Sequence, residues 1–280
     1  MWRTRGSSAN ATSVDALQRI AAALERLAPP PPAPVDLLTH PAYAWTDGAL
    51  RPIAAEAAAL ERLVGLDRQR DPLLANLLRL AQGYAAHDVL LWGARGSGKS
   101  ALAKAAVAAV QREHPRLALV VAGELAELPA LFAGLAEVPR PAAVFVDDVG
   151  VDAPADARHL RSLLEGGASS RPAHVRLLVT SNRRHLSPRD MAAQADAVNG
   201  RDVADDQLAL ADRFGLSLGF HALDQEGYLA IVDGYAAAYG LTTDPAEALE
   251  WVARRGSRSG RVAWQFIVEV AGRTGRALPG

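Results

Sequence analysis

Gly93-Ala94-Arg95-Gly96-Ser97-Gly98-Lys99-Ser100 is the stretch on which the reading of this chain turns. It matches G-x-x-x-x-G-K-[ST] at every position. The apolar run Asp88-Val89-Leu90-Leu91-Trp92 precedes it, and a helix-forming, alanine-rich run opening on Ala101 follows. Strand, loop and helix in that order are what phosphate binding demands. Glycines let successive backbone N–H groups converge on phosphate oxygens, and the helix start adds the positive end of its dipole. Lys99 supplies a mobile charge for the β- and γ-phosphates, and the Ser100 hydroxyl suits Mg2+. The alternative is a glycine-rich turn with an incidental lysine, which the flanking pattern disfavours.

A phosphate loop of this kind needs an acid for its metal, normally from the tip of a buried strand. Ala142-Ala143-Val144-Phe145-Val146-Asp147-Asp148 ends an apolar run in two adjacent carboxylates, which repel one another unless a cation or water uses them. Asp147 is assigned to Mg2+ and Asp148 to polarising the attacking water, with a loop or capping acid as the other reading of Asp148. The next strand reads His174-Val175-Arg176-Leu177-Leu178-Val179-Thr180-Ser181-Asn182. Asn182 follows it where ligands sit in open α/β sheets, within reach of a water or the γ-phosphate.

Further out, short β-type runs fall over residues 88–92, 117–121, 143–147, 175–180 and 216–220, separated by helical stretches, which implies a parallel sheet with helices on both faces. Residues 51–83 read as helical. After residue 220 the pattern is helical throughout, over 224–239, 245–254 and 260–272, with Gly240 and Gly256 as breaks. Near the N-terminus, Val14, Leu17, Ile20, Leu24 and Leu27 draw one apolar stripe, and a proline-rich spacer follows over 29–34. Three parts are expected: a helix and linker over 1–34, a nucleotide-binding core over 35–222 and a helical lid over 223–280.

Composition narrows the function. Thirty Lys+Arg against thirty-one Asp+Glu leave a net charge of −1, so contact with a polyanion would have to be local. The absence of cysteine excludes disulfides, thiolate metal sites and thiol catalysis. No run is long and apolar enough to span a membrane, and charged residues interrupt 14–27, so no membrane partner is expected and the cytoplasm is the expected location.

GARGSGKS, FVDDVG, LLVTSNRRHL, LADRFGLSL, EGYLAIVDGY and RRGSRSGRVAWQFI, in that order, resemble the bacterial AAA+ ATP-binding proteins of the DUF815 type over about residues 60–272, and more distantly initiator and helicase-loader ATPases. The resemblance implies an α/β P-loop NTPase: a five-stranded parallel αβα core of strand order 5-1-4-3-2 and a C-terminal helical lid. It implies ATP and Mg2+ as ligands. Carried over, Gly93 to Ser100 match the Walker A loop, with Ala101 behind it, and Asp147 and Asp148 match the Walker B tip. Asn182 matches the sensor-1 residue, Arg213 resembles an arginine finger and Arg261 a sensor-2 arginine, with Arg258 as its rival. Val64-Gly65 matches the segment that walls the adenine. For Arg213 a salt bridge with Asp212 is the alternative. Many such ATPases carry Asp-Glu where this chain has Asp-Asp, so hydrolysis could be slow, or Asp152 could share the task.

Two arginine groups remain, Arg176, Arg183, Arg184, His185 and Arg189 around the sensor strand and Arg254, Arg255, Arg258 and Arg261 in the lid, both expected near the phosphates. Asp196, Asp202, Asp205, Asp206 and Asp212 form their acidic counterpart. Only 19 residues follow Arg261, which leaves no space for an appended helix-turn-helix there, and the five tryptophans are scattered. DNA contact is therefore unsupported. The expectation is an ATPase that hydrolyses ATP to ADP and phosphate to drive self-assembly or remodelling of a protein client, working as a homo-oligomer with Arg213 acting across the subunit interface. A nucleotide-dependent scaffold with little hydrolysis is the alternative, and a P-loop kinase is a weaker third.

Overall fold

Five apolar runs that each bury both faces need helices above and below them, and the chain meets that demand with one sheet. The structure is a computed structural model that describes residues 39–149, 160, 163–164, 171–182 and 213–278. The helix expected over 14–27 and the spacer over 29–34 lie outside those residues. So do Asp152, Arg183, Arg184, His185, Arg189, Asp196, Asp202, Asp205, Asp206 and Asp212. Leu37–Gly280 form a single unit.

Among the described residues the strands are β1 (Ala42–Thr46), β2 (Ala49–Pro52), β3 (Val89–Gly93), β4 (Ala118–Ala122), β5 (Ala142–Val146), β6 (Val175–Ser181) and β7 (Leu216–Phe220), ordered β2-β1-β4-β5-β6-β3-β7 across one sheet. The last five in that order are the expected core, and they are parallel, with Val89 opposite both Leu178 and Leu216. Counted along the chain they run 5-1-4-3-2 from the β7 edge, as the resemblance implies.

The sheet is larger than expected. β1 adds in parallel to β4, and β2 folds back antiparallel on β1 through a turn with Asp47 and Gly48 at positive φ. Residues 51–83 are accordingly not helical throughout: Arg51 and Pro52 close β2, Leu60–Arg62 form a single 3-10 turn, and the helix proper, α1, is Asp67–Ala81. Tyr43 is fully buried, and the short alternation Ala-Tyr-Ala-Trp-Thr pairs with a strand more than 70 residues away, so its partner is invisible locally.

Helix α2 (Lys99–Glu113) follows the loop, and α3 (Leu128–Ala136) lies between β4 and β5 in the chain. Ala103, Ala105 and Ala106 of α2 are buried in the cluster that also takes Leu73 and Leu77 of α1 and Leu91 of β3. Small side chains thus let α2 approach the sheet closely.

Three helices fill the span expected as the lid: α4 (Gln225–Tyr239), α5 (Pro245–Arg255) and α6 (Gly260–Arg273). Each starts on a side-chain cap, with Asp224 accepting from Gly227 N at 2.7 Å, Asp244 from Ala246 N at 2.9 Å and Ser259 from Val262 N at 3.2 Å. Gly240 and Gly256 end α4 and α5 in the left-handed conformation, as the sequence implies. Tyr228, Phe266 and Ile267 anchor a separate apolar cluster inside this bundle.

The lid meets the core at the loop before α1. Arg62 Nη1 donates to Tyr239 OH at 2.7 Å, and a Cβ built on Gly234 of α4 would lie 2.6 Å from Val64 Cγ2. Alanine in place of a mid-helix glycine ordinarily stabilises by roughly 0.5–1 kcal/mol. Gly234→Ala should reverse that sign and cost about 1 kcal/mol or more, because Val64 must give way. Gly272→Ala in α6, with open space around its Cβ, should keep the ordinary sign. Denaturant midpoints check both, and a stabilised Gly234→Ala would show that the Val64 loop yields freely.

Candidate functional site

The loop between β3 and α2 is shaped by three glycines at positive φ. Gly93 has φ 131°, and a Cβ there would fall 2.0 Å from the Phe220 carbonyl oxygen, the same oxygen that accepts from Ala94 N at 3.1 Å. Gly96 and Gly98 also take positive φ, 76° and 96°, which turns the chain into the first turn of α2. Lys99 is 5% exposed. Its Nζ donates to Gly93 O at 3.0 Å, Ala94 O at 2.8 Å and Asn182 Oδ1 at 2.9 Å. Burial pulls this ammonium below the ordinary lysine value, against the opposing pull of Asp148 and Asp147. Gly93→Ala is expected to cost about 3 kcal/mol or more in denaturant unfolding, since it adds both strain and a clash with β7. A loss under about 0.5 kcal/mol would mean that β7 shifts to admit the methyl.

Two strands away in chain order but adjacent through β6, the acid tip meets this loop. Ser100 Oγ donates to Asp147 Oδ1 at 2.6 Å, and Thr180 Oγ1 donates to the same oxygen at 2.5 Å. Asp148 N donates to Thr180 Oγ1 at 2.8 Å, and Val149 N to Thr180 O at 2.8 Å. Asp148 sits at φ 52°, unusual for a side chain with a Cβ, and its Oδ1 accepts from Asn182 Nδ2. It therefore faces Asn182. Among the described residues no group of three or more His, Cys, Asp or Glu could hold a metal. The chain offers instead one hydroxyl and one carboxylate side by side. Such a hard-oxygen pair fits Mg2+, which takes few protein ligands and keeps water and phosphate for the rest.

These residues form the polar floor of a cavity of about 420 Å³, within the usual size range for a small-molecule site. Its far end is apolar, with Leu63, Val64 and Leu66 from the loop before α1, Leu223, Ile231 and Tyr235 around α4, and Trp264 from α6. Arg62, Arg95 and Arg261 add cations. The lid touches the phosphate loop directly: Gly260 N donates to Gly96 O at 3.1 Å, and Ser259 lies 3.1 Å from a Cβ built on Gly96.

Most of the expected residues converge here. Arg95, Gly96, Ser97, Gly98, Lys99, Ser100, Ala101, Asp147, Asp148, Asn182, Val64 and Arg261 all line the cavity. Gly93 and Ala94 act behind it through their carbonyls. Gly65, at φ 78°, makes the turn after Val64 and does not line the cavity. Of the rival lid arginines, Arg261 lines it and Arg258 does not.

Four other arginines singled out in the sequence do not line the cavity. Arg176 donates to Ala86 O and Val175 O at the start of β6, the opposite end of the strands from Gly93, because the five strand residues 177–181 separate it from Asn182. Arg254 pairs with Glu250, and Arg255 stacks over Trp251, 3.7 Å from the ring centroid, on the lid's outer side. Arg213 is exposed in the turn before β7. Register places Leu216 opposite Val89 and Phe220 opposite Gly93, so Arg213 stands beyond the far end of that strand from the loop, on the order of 15 Å or more away.

Sequence reasoning passed over Thr180 and the apolar wall. Thr180 lies two residues before Asn182 on one strand, and Ile231 with Tyr235 and Arg261 with Trp264 keep spacings of four and three on their helices. Those periodicities place residues on a common face, but not toward a cavity.

Residues 38–274 match the model of a protein family described as protein of unknown function (DUF815). No curated protein matches the chain. Among solved structures it is similar to the RuvB Holliday junction branch migration motor of Thermotoga maritima, with 16% identity, 79% of this chain and 68% of that chain covered, and a TM-score of 0.50. It is also similar to the Orc1 protein of Aeropyrum pernix, solved in complex with DNA, with 14% identity, 81% and 68% covered, and a TM-score of 0.51. At such identities the likeness establishes the fold, which is that of AAA+ P-loop NTPases.

Proposed function

The chain belongs to the DUF815 family, and on that premise we propose that it is an AAA+ ATPase that binds MgATP and hydrolyses it to ADP and phosphate. Turnover drives self-assembly or the remodelling of a protein client. The observation that carries this reading is the contact of Ser100 Oγ with Asp147 Oδ1 beside the buried Lys99 ammonium, itself tied through Asn182 to Asp148. A loop, a metal acid, a cation and a second acid are thereby held at one point, which is the set phosphoryl transfer requires.

In this reading the loop amides from Gly96 to Ser100 hold the phosphate oxygens, and the Lys99 ammonium exchanges its carbonyl partners for the β- and γ-phosphates. Ser100 and Asp147 would hold Mg2+, whose chemistry there would be to offset negative charge on the phosphates. Asp148 accepts a proton from the attacking water, and the Asn182 amide fixes that carboxylate. Val64, Ile231, Tyr235 and Trp264 bury the adenine. Arg261, at the second position of α6, reaches the phosphates from the lid, so the nucleotide bridges the core (35–222) and the lid (223–280) and moves one against the other. The position of Arg213, exposed and remote from its own cavity, supports action on a neighbouring subunit's phosphates in a homo-oligomer. The net charge of −1 supports a protein client over DNA.

A second reading, a nucleotide-dependent scaffold with little hydrolysis, draws support from Asp148 itself. The carboxylate is one methylene shorter than a glutamate, and one of its oxygens is already engaged by Asn182.

Lys99→Ala is expected to abolish nucleotide binding measured by calorimetry. Asp148→Asn should keep binding and lower kcat by about 10²-fold or more. Equal loss of both would reassign Asp148 to the metal, and a parent protein that binds ATP without turnover would favour the scaffold. Neither Arg213→Ala nor Lys99→Ala should turn over alone, whereas mixing them should restore turnover, because one supplies an intact cavity and the other an intact arginine. A mixture as inactive as its parts would sink the role of Arg213 across an interface.

A further inference from the structure

Position 180 is a hydroxyl where a buried central strand calls for an aliphatic side chain. Leu177, Leu178 and Val179 before it are fully buried, and Thr180 is 1% exposed. A hydroxyl buried without partners is costly, yet both capacities of this one are used, and both by the tip of β5. Its oxygen accepts from Asp148 N at 2.8 Å and its proton goes to Asp147 Oδ1 at 2.5 Å. The neighbouring Ser181 is equally buried, and its Oγ has no hydrogen-bond partner among the described residues. Burial in this strand does not by itself explain the bonds of Thr180.

Two consequences follow for the acids. Asp147 Oδ1 takes hydroxyl protons from Ser100 on one side and Thr180 on the other, which fixes the plane of the carboxylate and leaves its second oxygen to the cavity. The peptides on both sides of Asp148 are pinned, through Asp148 N on Thr180 Oγ1 and Val149 N on Thr180 O. That pinning holds Asp148 at φ 52°, a conformation that persists in a residue with a Cβ only where its surroundings impose it. The same turn delivers the Asp148 carboxylate to Asn182.

We propose that Thr180 is a positioning residue that sets both acids at once, holding Asp147 for Mg2+ and Asp148 for the water. The role rests on the MgATP reading above. It differs from a merely structural one because it acts on the metal and the water, and leaves the hold of the phosphate loop on nucleotide untouched.

The test uses the full chain and a fluorescent ATP analogue, titrated in EDTA and again with increasing Mg2+, alongside steady-state turnover. Thr180→Val keeps the shape and removes both hydrogen bonds. It should bind the analogue in EDTA within about twofold of the parent while requiring about 10- to 100-fold more Mg2+ to tighten binding, with kcat falling and KM changing little. Thr180→Ser should restore the parent's Mg2+ requirement, and Ser181→Ala should match the parent throughout. If the valine variant fails to fold, Thr180→Ala reads the same way against the serine rescue. A folded valine or alanine variant with the parent's Mg2+ requirement and kcat overturns the proposal, as does a serine variant no better than valine. A parent that binds but does not turn over removes the hydrolytic reading alone, and the Mg2+ titration then decides the role of Thr180. A parent that binds no nucleotide overturns both.

Discussion

A buried ammonium must find acceptors, and those of Lys99 come from the tips of two strands that neighbour each other only in the folded sheet. The carbonyls of Gly93 and Ala94 end β3, and the Asn182 amide ends β6. The amide's other end reaches Asp148 at the tip of β5. One polar chain thus crosses three parallel strands, and it exists because β6 inserts between β3 and β5. Were β6 elsewhere in the order, the loop and the acids would be a full strand further apart, and the ammonium would be buried without an amide partner.

The lid depends on the same loop from its other side. Gly260 N donates to Gly96 O, Val64 fills the space left by the missing side chain at Gly234, and Arg62 reaches Tyr239. The lid helices also share an apolar cluster around Tyr228 and Phe266, against which Val64 packs. The alanine-rich composition serves the core differently. Burying alanine contributes little energy per residue, but in α2 it brings the helix that opens on Lys99 close against β3.

Much of this was legible in the residues. Glycine spacing around Lys99, an apolar strand ending in Asp147-Asp148 and a polar residue closing the next strand are local patterns with chemical reasons, and the structure brings all three together. The β1–β2 hairpin was not legible, because Tyr43 and Ala42 owe their burial to β4, far along the chain. Arg176 misled for the opposite reason. Nearness in sequence to Asn182 means distance along a strand, and the extended residues 177–181 set it at the other end of β6.

The sequence by itself determined the five core strands, the glycine-rich loop around Lys99 with the acids Asp147 and Asp148, and the helical character of the C-terminal runs. Only the tertiary structure decided which arginine faces the cavity, that an aromatic and aliphatic wall closes it, and that one threonine hydroxyl holds both acids. Periodicity fixes a residue's face within its own element, whereas a contact such as that of Thr180 with Asp147 depends on strand order and register, which are set by packing across the whole sheet.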